Sequence, residues 1–273
     1  MTTLLLHGLG ADRRQPLKLF SPVLAAIDGA DGPVVAIDVR AHGTFHEVGT
    51  PADFALDRLA AEAAAATVAE VPRLIQAEDA PDDAALGPAP LTVIGISMGA
   101  AIALRLALDG LLPVDRAVFV RPSFDDRSLP PNLRAFPVIG ERLHDAGADG
   151  AAEFRETNLY HEVERVSPAG AAGLLAQFTA PLAEERAMRL VEVPRNRAFS
   201  DDAELAGLAG RGIRSLVVGA PRDPVHPLAT AERWAGALGV PLETVPARDD
   251  GLAAQTAAMR DAVGRWLALT ARA

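Results

Sequence analysis

A serine between two glycines is the feature of this sequence that most directly indicates chemistry. Residues 95–99 read Gly-Ile-Ser-Met-Gly and fit the pattern G-x-S-x-G, between an apolar run typical of a strand (91–95) and a segment typical of a helix (98–111). In a tight turn from strand to helix, the glycines leave Ser97 strained with its hydroxyl exposed, so that it can act as a nucleophile. The N–H of Met98, at the start of the helix, is a predicted donor to a developing oxyanion.

Two further turns that follow apolar runs could complete this chemistry. Residues 7–10 read His-Gly-Leu-Gly; the N–H of Leu9 is the predicted second oxyanion donor, whereas the His7 side chain is expected to be held by backbone carbonyls. Residues 219–227 read Gly-Ala-Pro-Arg-Asp-Pro-Val-His-Pro. Because an aspartate in such a turn can orient a histidine from a neighbouring loop, Asp223 is the predicted acid, with capping of the next helix as its alternative role.

The elements that must position these turns alternate between strands and helices. The predicted strands span 4–6, 33–38, 91–95, 117–121, 214–219 and 241–245, and the predicted helices span 52–76, 98–111, 227–238 and 252–271. Pro72 is expected to kink or end the first of these helices. This alternation predicts an α/β fold with a mostly parallel sheet covered by helices.

An insert interrupts the alternation. About ninety residues separate the strand that ends at Arg121 from the strand that begins at Arg214, far more than a crossover needs. Helix starts are predicted at Ser167 with Pro168 and at Pro181 with Leu182, so the insert is expected to be all helical. The predicted boundaries are 123–202 for the insert and 1–122 with 203–273 for the α/β core.

These segments, in this order, resemble the α/β-hydrolase superfamily over nearly the whole chain. Residues 38–43 are similar to the family's D-x-R-G-H-G loop, with Ala41 in place of a glycine. The resemblance implies that 123–202 forms a helical cap over the active site. It also implies a catalytic triad in the order Ser, Asp, His, with the histidine in the loop after the last strand.

That histidine is missing. No histidine follows His226, and the loop and helix over 245–256 carry Asp250 and Gln255 as the residues expected near its position. A glutamine cannot accept a proton from a serine hydroxyl near neutral pH, and an aspartate does so weakly unless burial raises its pKa.

Other residues could act as the base or contact the substrate. His226 lies three residues after Asp223 and could instead be a loop residue bonded to backbone, while His161 in the insert, and less so His144, could instead pack the cap. Arg121 could hold a substrate carboxylate or phosphate, or form a salt bridge with an acid such as Asp125 or Asp126.

The spacing of Asp38, His42 and His46 does not predict a metal site, because Gly43 lies in a turn where side chains four apart do not share a face. No cofactor is expected.

Composition excludes several classes of function. The 273 residues carry a formal net charge of −10, with 49% hydrophobic residues and no cysteine. An acidic chain repels nucleic acid and anionic membranes, and the absence of cysteine excludes disulfides and thiolate chemistry. No apolar run reaches the ~18 residues of a membrane helix, and the N-terminus lacks the pattern of a secretion signal, so a cytoplasmic protein is expected.

Two functions remain open. The first is an enzyme that acts at an acyl or carbonyl centre of a small molecule, most simply an ester hydrolase in which Ser97 works with a relocated or degenerate base. The second is a non-hydrolytic homologue, a lyase, cyclase or ligand-binding accessory protein, that keeps the pocket without the histidine.

Overall fold

A six-stranded sheet forms the centre of the molecule, in a computed structural model that describes residues 2–27, 32–77 and 90–270. The strands are β1 (Thr3–Leu6), β2 (Val34–Ala36), β3 (Leu91–Ile96), β4 (Val114–Val120), β5 (Arg214–Gly219) and β6 (Leu242–Thr244). Their order is β2-β1-β3-β4-β5-β6, and every pairing is parallel. The predicted α/β fold with a mostly parallel sheet is thus confirmed.

The strands are buried on both faces, which explains their nearly continuous apolar sequences. Along β1, Leu4 and Leu6 belong to one buried cluster and Leu5 to another, as expected when successive side chains point to opposite faces. Phe20 and Val263 lie in the second cluster, on the helices that cover that face.

Helices connect and cover the strands. They are α1 (Arg14–Leu24), α2 (Leu56–Ala77), α3 (Met98–Leu108), α4 (Ala135–Ala146), α5 (Gly150–Arg155), α6 (Asn158–Val166), α7 (Pro168–Leu175), α8 (Met188–Glu192), α9 (Asp202–Gly210), α10 (Leu228–Leu238) and α11 (Leu252–Thr270). Among the described residues, no helix is both long and apolar enough to cross a bilayer. Pro72 does not end α2, which continues to Ala77, because the earlier turns of this long helix are anchored in the core, for example by Leu59.

The chain between β4 and β5 folds into helices α4 to α9, with no strand among these described residues. The predicted helix start at Ser167 is confirmed, since its Oγ accepts a hydrogen bond from the N–H of Gly170 at 2.9 Å and Pro168 is the first residue of α7. The start predicted at Pro181 is wrong. The following Leu182 has φ 56°, a left-handed conformation that interrupts a helix, and the next helix, α8, begins only at Met188.

Candidate active site

Ser97 lies in a strained turn between β3 and α3. Its backbone has φ 55° and ψ −111°, a conformation that residues other than glycine rarely adopt. A Cβ on Gly95 would lie 2.1 Å from the carbonyl oxygen of Gly99, and a Cβ on Gly99 would lie 2.5 Å from that of Leu6. Both glycines are therefore required by close approach of the backbone. This turn at residues 95–99, called the elbow below, has the geometry that the G-x-S-x-G pattern predicts.

The Ser97 hydroxyl hydrogen bonds with a second hydroxyl. Its Oγ lies 3.0 Å from Oγ of Ser123, which follows the neighbouring strand β4, and both side chains are buried. No motif in the sequence distinguishes Ser123 as a site residue. Only the order of the strands in the sheet brings it to Ser97.

The turn at residues 7–10 runs beside Ser97. A Cβ on Gly8 would lie 3.4 Å from Cβ of Ser97. In the part of the chain that the structure describes, the N–H groups of Leu9 and Met98 donate to no protein acceptor. Two free amides next to a serine hydroxyl can stabilise the negative charge of a tetrahedral intermediate.

Two buried histidines hold this turn in place. Nδ1 of His7 lies 2.9 Å from the carbonyl oxygen of Gly8, and its Nε2 accepts from the N–H of Val39 at 3.0 Å. His42 is bonded to the main chain through both ring nitrogens, and its ring centroid lies 4.8 Å from that of His7. Burial lowers the pKa of both rings below the usual value. His7 is thus a structural residue, as the sequence suggests.

These two histidines predict a pH dependence of stability. Because the folded pKa of His7 and of His42 is lowered, the unfolded chain binds more protons than the folded chain once the pH falls below about 6.5. We expect the free energy of unfolding to fall below that pH by up to about 1.4 kcal/mol per pH unit for each histidine. Urea unfolding measured from pH 7.5 to pH 5.5 tests this, since carboxylates titrate mainly below that window. Because the pKa of His226 is lowered as well, the measurement is made in a His226→Gln background, where the remaining slope belongs to His7 and His42. A slope of zero in that background would contradict the expectation.

Asp223 lies in the turn after β5 and is fully engaged. Its carboxylate forms an ion pair with Arg121 and accepts from the backbone N–H groups of Val225 at 3.1 Å and His226 at 3.0 Å. Burial alone would raise the pKa of Asp223. The hydrogen bonds of His226, which is protonated at the acid pH where this carboxyl group titrates, and the charge of Arg121 hold that pKa well below its usual range. The partner of Arg121 is therefore Asp223; Asp125, suggested by the sequence, pairs with Arg127 instead.

His226 contacts the same carboxylate. Its Nδ1 lies 3.1 Å from each oxygen of Asp223 and 3.0 Å from Nη2 of Arg121. Its Nε2 makes no hydrogen bond to any described residue. Burial lowers the pKa of His226, Asp223 raises it and Arg121 lowers it, and the net shift is downward, so the ring is neutral near pH 7. In the tautomer that carries its proton on Nδ1 and donates it to Asp223, Nε2 of this neutral imidazole can accept a proton.

A cavity of about 150 Å³ brings most of these groups together. Its lining includes Leu9, Ser97, Arg121, Asp223 and His226 from the core, and Phe136, Ser167, Gly170, Gly173, Leu174 and Gln177 from the insert.

The loop after β6 contributes a residue that the sequence did not single out. Arg248 lines the cavity and belongs to the loop in which the family resemblance implies a histidine. Gln255 is buried outside the cavity lining and donates through Nε2 to the carbonyl oxygen of Pro246 at 2.9 Å. Asp250 also lies outside the lining and pairs with Arg222. The expected position in this loop was the only signal that could have identified Arg248.

The remaining candidates lie apart from Ser97. His161 is 58% exposed with its Nδ1 3.8 Å from Glu164, and His144 is exposed on α4. Asp38, His42 and His46 have separate partners and do not converge; the described residues contain no cluster that could hold a metal ion.

Comparison with known proteins identifies a family model and solved structures that the chain resembles. Residues 3–262 match the model of the Alpha/beta hydrolase family. A thermophilic esterase from Thermogutta terrifontis with malate bound superposes with a TM-score of 0.63 and 17% identity over 98% of this chain and 89% of that one. MenH from S. aureus gives a TM-score of 0.61 with 16% identity over 98% and 93% of the two chains. A hydrolase from Pseudomonas aeruginosa PA01 gives 0.59 with 20% identity over 96% and 89%.

No protein with curated annotation matches the chain by sequence. At these identities, the solved structures inform on the fold alone, whereas the family model covers nearly the whole chain. The strand order, the elbow at Ser97 and this match lead to one conclusion: the chain belongs to the α/β-hydrolase family.

Proposed function

We propose that this chain is a serine hydrolase that cleaves a carboxylic ester, or a closely related acyl bond, of a small molecule. One observation supports the proposal above all. Ser97, in its elbow, and His226, with Nδ1 3.1 Å from Asp223, line the same cavity. In this proposal, the histidine three residues after the acid replaces the histidine that is missing from the loop after β6.

The proposed reaction has two halves, the formation and the hydrolysis of an acyl-serine, and in each half His226 accepts one proton and gives it up again. Ser97 Oγ attacks the carbonyl carbon while its proton passes to Nε2 of His226, and the N–H groups of Leu9 and Met98 bind the oxyanion. When the carbon–oxygen bond breaks, the leaving alcohol takes that proton. Water then attacks the acyl-serine, again losing a proton to His226, which returns it to Ser97 Oγ as the carboxylic acid leaves.

Arg121 would set the protonation states of this pair. Its ion pair keeps Asp223 ionised, so that the carboxylate can accept Nδ1–H of His226 and leave the Nε2 lone pair free. Its charge also contributes to the lowered pKa of His226, which keeps the base unprotonated near neutral pH.

The charges in the cavity favour an anionic substrate. Arg121, Arg222 and Arg248 line it. Asp223 pairs with Arg121 and Asp250 pairs with Arg222, whereas Arg248 has no ion-pair partner among the described residues. Nε of Arg121 is buried without a hydrogen-bond partner among the described residues. A substrate carboxylate near these guanidinium groups would be bound by charge-assisted hydrogen bonds.

The segment 123–202 is proposed to act as a cap on a core made of residues 1–122 and 203–273. Phe136 from α4 and Leu174 from α7 line the cavity and would place apolar surface over the acyl group. Closure of the site by such side chains would exclude water from the oxyanion.

Labelling with a fluorophosphonate tests the proposal. The serine oxygen should displace fluoride, so intact-mass spectrometry should show one adduct per folded chain, and peptide mapping should place it on Ser97. Ser123→Ala should still be labelled, because that hydroxyl is a neighbour and not the attacking group, and heat-unfolded protein should not react.

Absence of an adduct would favour the second function, a homologue that binds a ligand or catalyses a non-hydrolytic reaction. The hydrogen bond of Ser97 to Ser123 rather than to an imidazole is the observation that favours this alternative.

A further inference from the structure

A second cavity, of about 440 Å³, adjoins the turn at residues 7–10. Gly10 and Ala11 line it, whereas Gly8 and Leu9 line the cavity around Ser97, and no described residue lines both. Its charged lining consists of Asp12, Arg13, Arg14, Asp38, Arg186 and Arg189.

Two of these arginines are buried with incomplete hydrogen bonding. Arg186 is 4% exposed and Arg189 is 3% exposed. Nη2 of Arg186 donates to the carbonyl oxygen of Gly43 at 2.9 Å and contacts Nδ1 of His46 at 2.8 Å, and Nη1 of Arg189 donates to the carbonyl oxygen of Ala41. The Nε atom of each is buried without a partner among the described residues. In Arg189, the edge formed by Nε and Nη2, which binds carboxylates and phosphates in a bidentate manner, is thus unused.

The two carboxylates of the cavity do not neutralise these charges. Asp12 pairs with Arg14. Asp38 accepts from the N–H of Arg13 at 2.7 Å and from the N–H and Oγ1 of Thr44 at 2.8 and 2.9 Å. Within the described ranges, neither Arg186 nor Arg189 has an ion-pair partner. The described lining contains four arginines and two aspartates, and its positive charges therefore outnumber its negative charges.

A structural role alone accounts poorly for this arrangement. Hydrogen bonds to backbone carbonyls leave both positive charges buried next to each other, three residues apart in sequence. Burial and the charge of Arg186 lower the pKa of Arg189 to about 10, and no carboxylate offsets the shift. Buried charges without counter-charges are costly in proteins, and buried donors are nearly always satisfied. A bound anion would supply both the counter-charge and the acceptors.

We propose that the second cavity binds a small dianion, a phosphate monoester or a dicarboxylate, between the guanidinium groups of Arg186 and Arg189. The shared chemistry is a pair of anionic oxygens on a ligand with charge near −2, which matches two guanidinium groups that lack carboxylate partners. The volume accommodates a small organic group beyond the anion itself. Because none of its described lining residues surrounds Ser97, the proposal does not depend on the hydrolase activity.

Calorimetric titration of the full chain with inorganic phosphate tests the site, with ionic strength held constant by sodium chloride. We expect saturable phosphate binding whose Kd rises at least tenfold in Arg186→Met and in Arg189→Met. Succinate as a second probe separates the two ligand sources, since the tighter of the two anions identifies the preferred geometry. Arg165→Met, which removes an exposed arginine of α6, should bind phosphate like the wild type.

Two results would overturn the proposal. One is that chloride at equal ionic strength has the same effect as phosphate. The other is that Arg248→Met abolishes binding while Arg186→Met does not, since the anion would then lie in the Ser97 cavity. If the methionine variants do not fold, Arg186→Lys serves instead: it keeps the charge, loses the planar fork, and should still raise Kd severalfold.

Discussion

A His226→Ala variant is expected to hydrolyse an activated aryl ester about 10²- to 10⁴-fold more slowly than the wild type, the range typical of a general base. The reason lies in the cavity, where His226 is the imidazole placed with Ser97 and bonded to Asp223. Without it, the serine hydroxyl must lose its proton to water, and an unassisted hydroxyl is a weak nucleophile. Initial rates at saturating and at limiting ester should show the loss mainly in kcat.

The pH profile provides a second measurement of the same role. Since burial and Arg121 lower the pKa of His226, the wild-type rate should remain constant from pH 8 to below pH 6.5 and fall only at lower pH. His161→Ala, at an exposed histidine of the insert, should retain both the rate and the profile. A His226→Ala variant that keeps the wild-type rate and profile would exclude His226 as the base. A His226→Gln variant, which preserves the size of the side chain, guards against loss of folding.

The sequence was sufficient for the parts of the molecule that local patterns determine. The buried strands have continuous apolar runs, and the elbow requires glycine at 95 and 99 because backbone atoms approach within 2.1 to 2.5 Å of where a Cβ would lie. The start of α7 at Ser167 follows from capping chemistry. The helix start expected at Pro181 failed, because proline limits only its own φ and the left-handed Leu182 follows it.

The contacts between side chains from distant segments were not predictable in the same way. Ser123 reaches Ser97 through the adjacency of β4 and β3, and Arg121 reaches Asp223 across 102 positions of sequence. Arg248 and Asp250 lie in the loop after β6 and Gln255 lies in the first turn of α11, and which of them lines the cavity depends on how each side chain is oriented. Each is polar and compatible with a short turn, so their sequence alone does not rank them.

Introducing an imidazole by Arg248→His into the His226→Ala variant should raise ester turnover by about 10²-fold, the lower end of the contribution of a general base. Residue 248, Ser97 and Asp223 line the same cavity, so we expect a new imidazole at 248 to reach the hydroxyl and the carboxylate. The free N–H groups of Leu9 and Met98 would already be in place for the oxyanion.

Two matched substitutions nearby, one in the loop at Asp250 and one in the first turn of α11 at Gln255, make the test selective. Gln255→His would place the ring at a buried position outside the cavity lining, where the native side chain bonds to Pro246, and Asp250→His would place it at a half-exposed position beside Arg222. In the His226→Ala background, neither should raise turnover, although both add a histidine within residues 245–256, where the family resemblance implies one. The turnover rate of the Arg248→His variant should rise with pH as the new imidazole loses its proton. A purely structural rescue would not produce this pH dependence. If Gln255→His restores turnover and Arg248→His does not, the prediction is wrong. A base would then reach Ser97 from α11 and not from position 248.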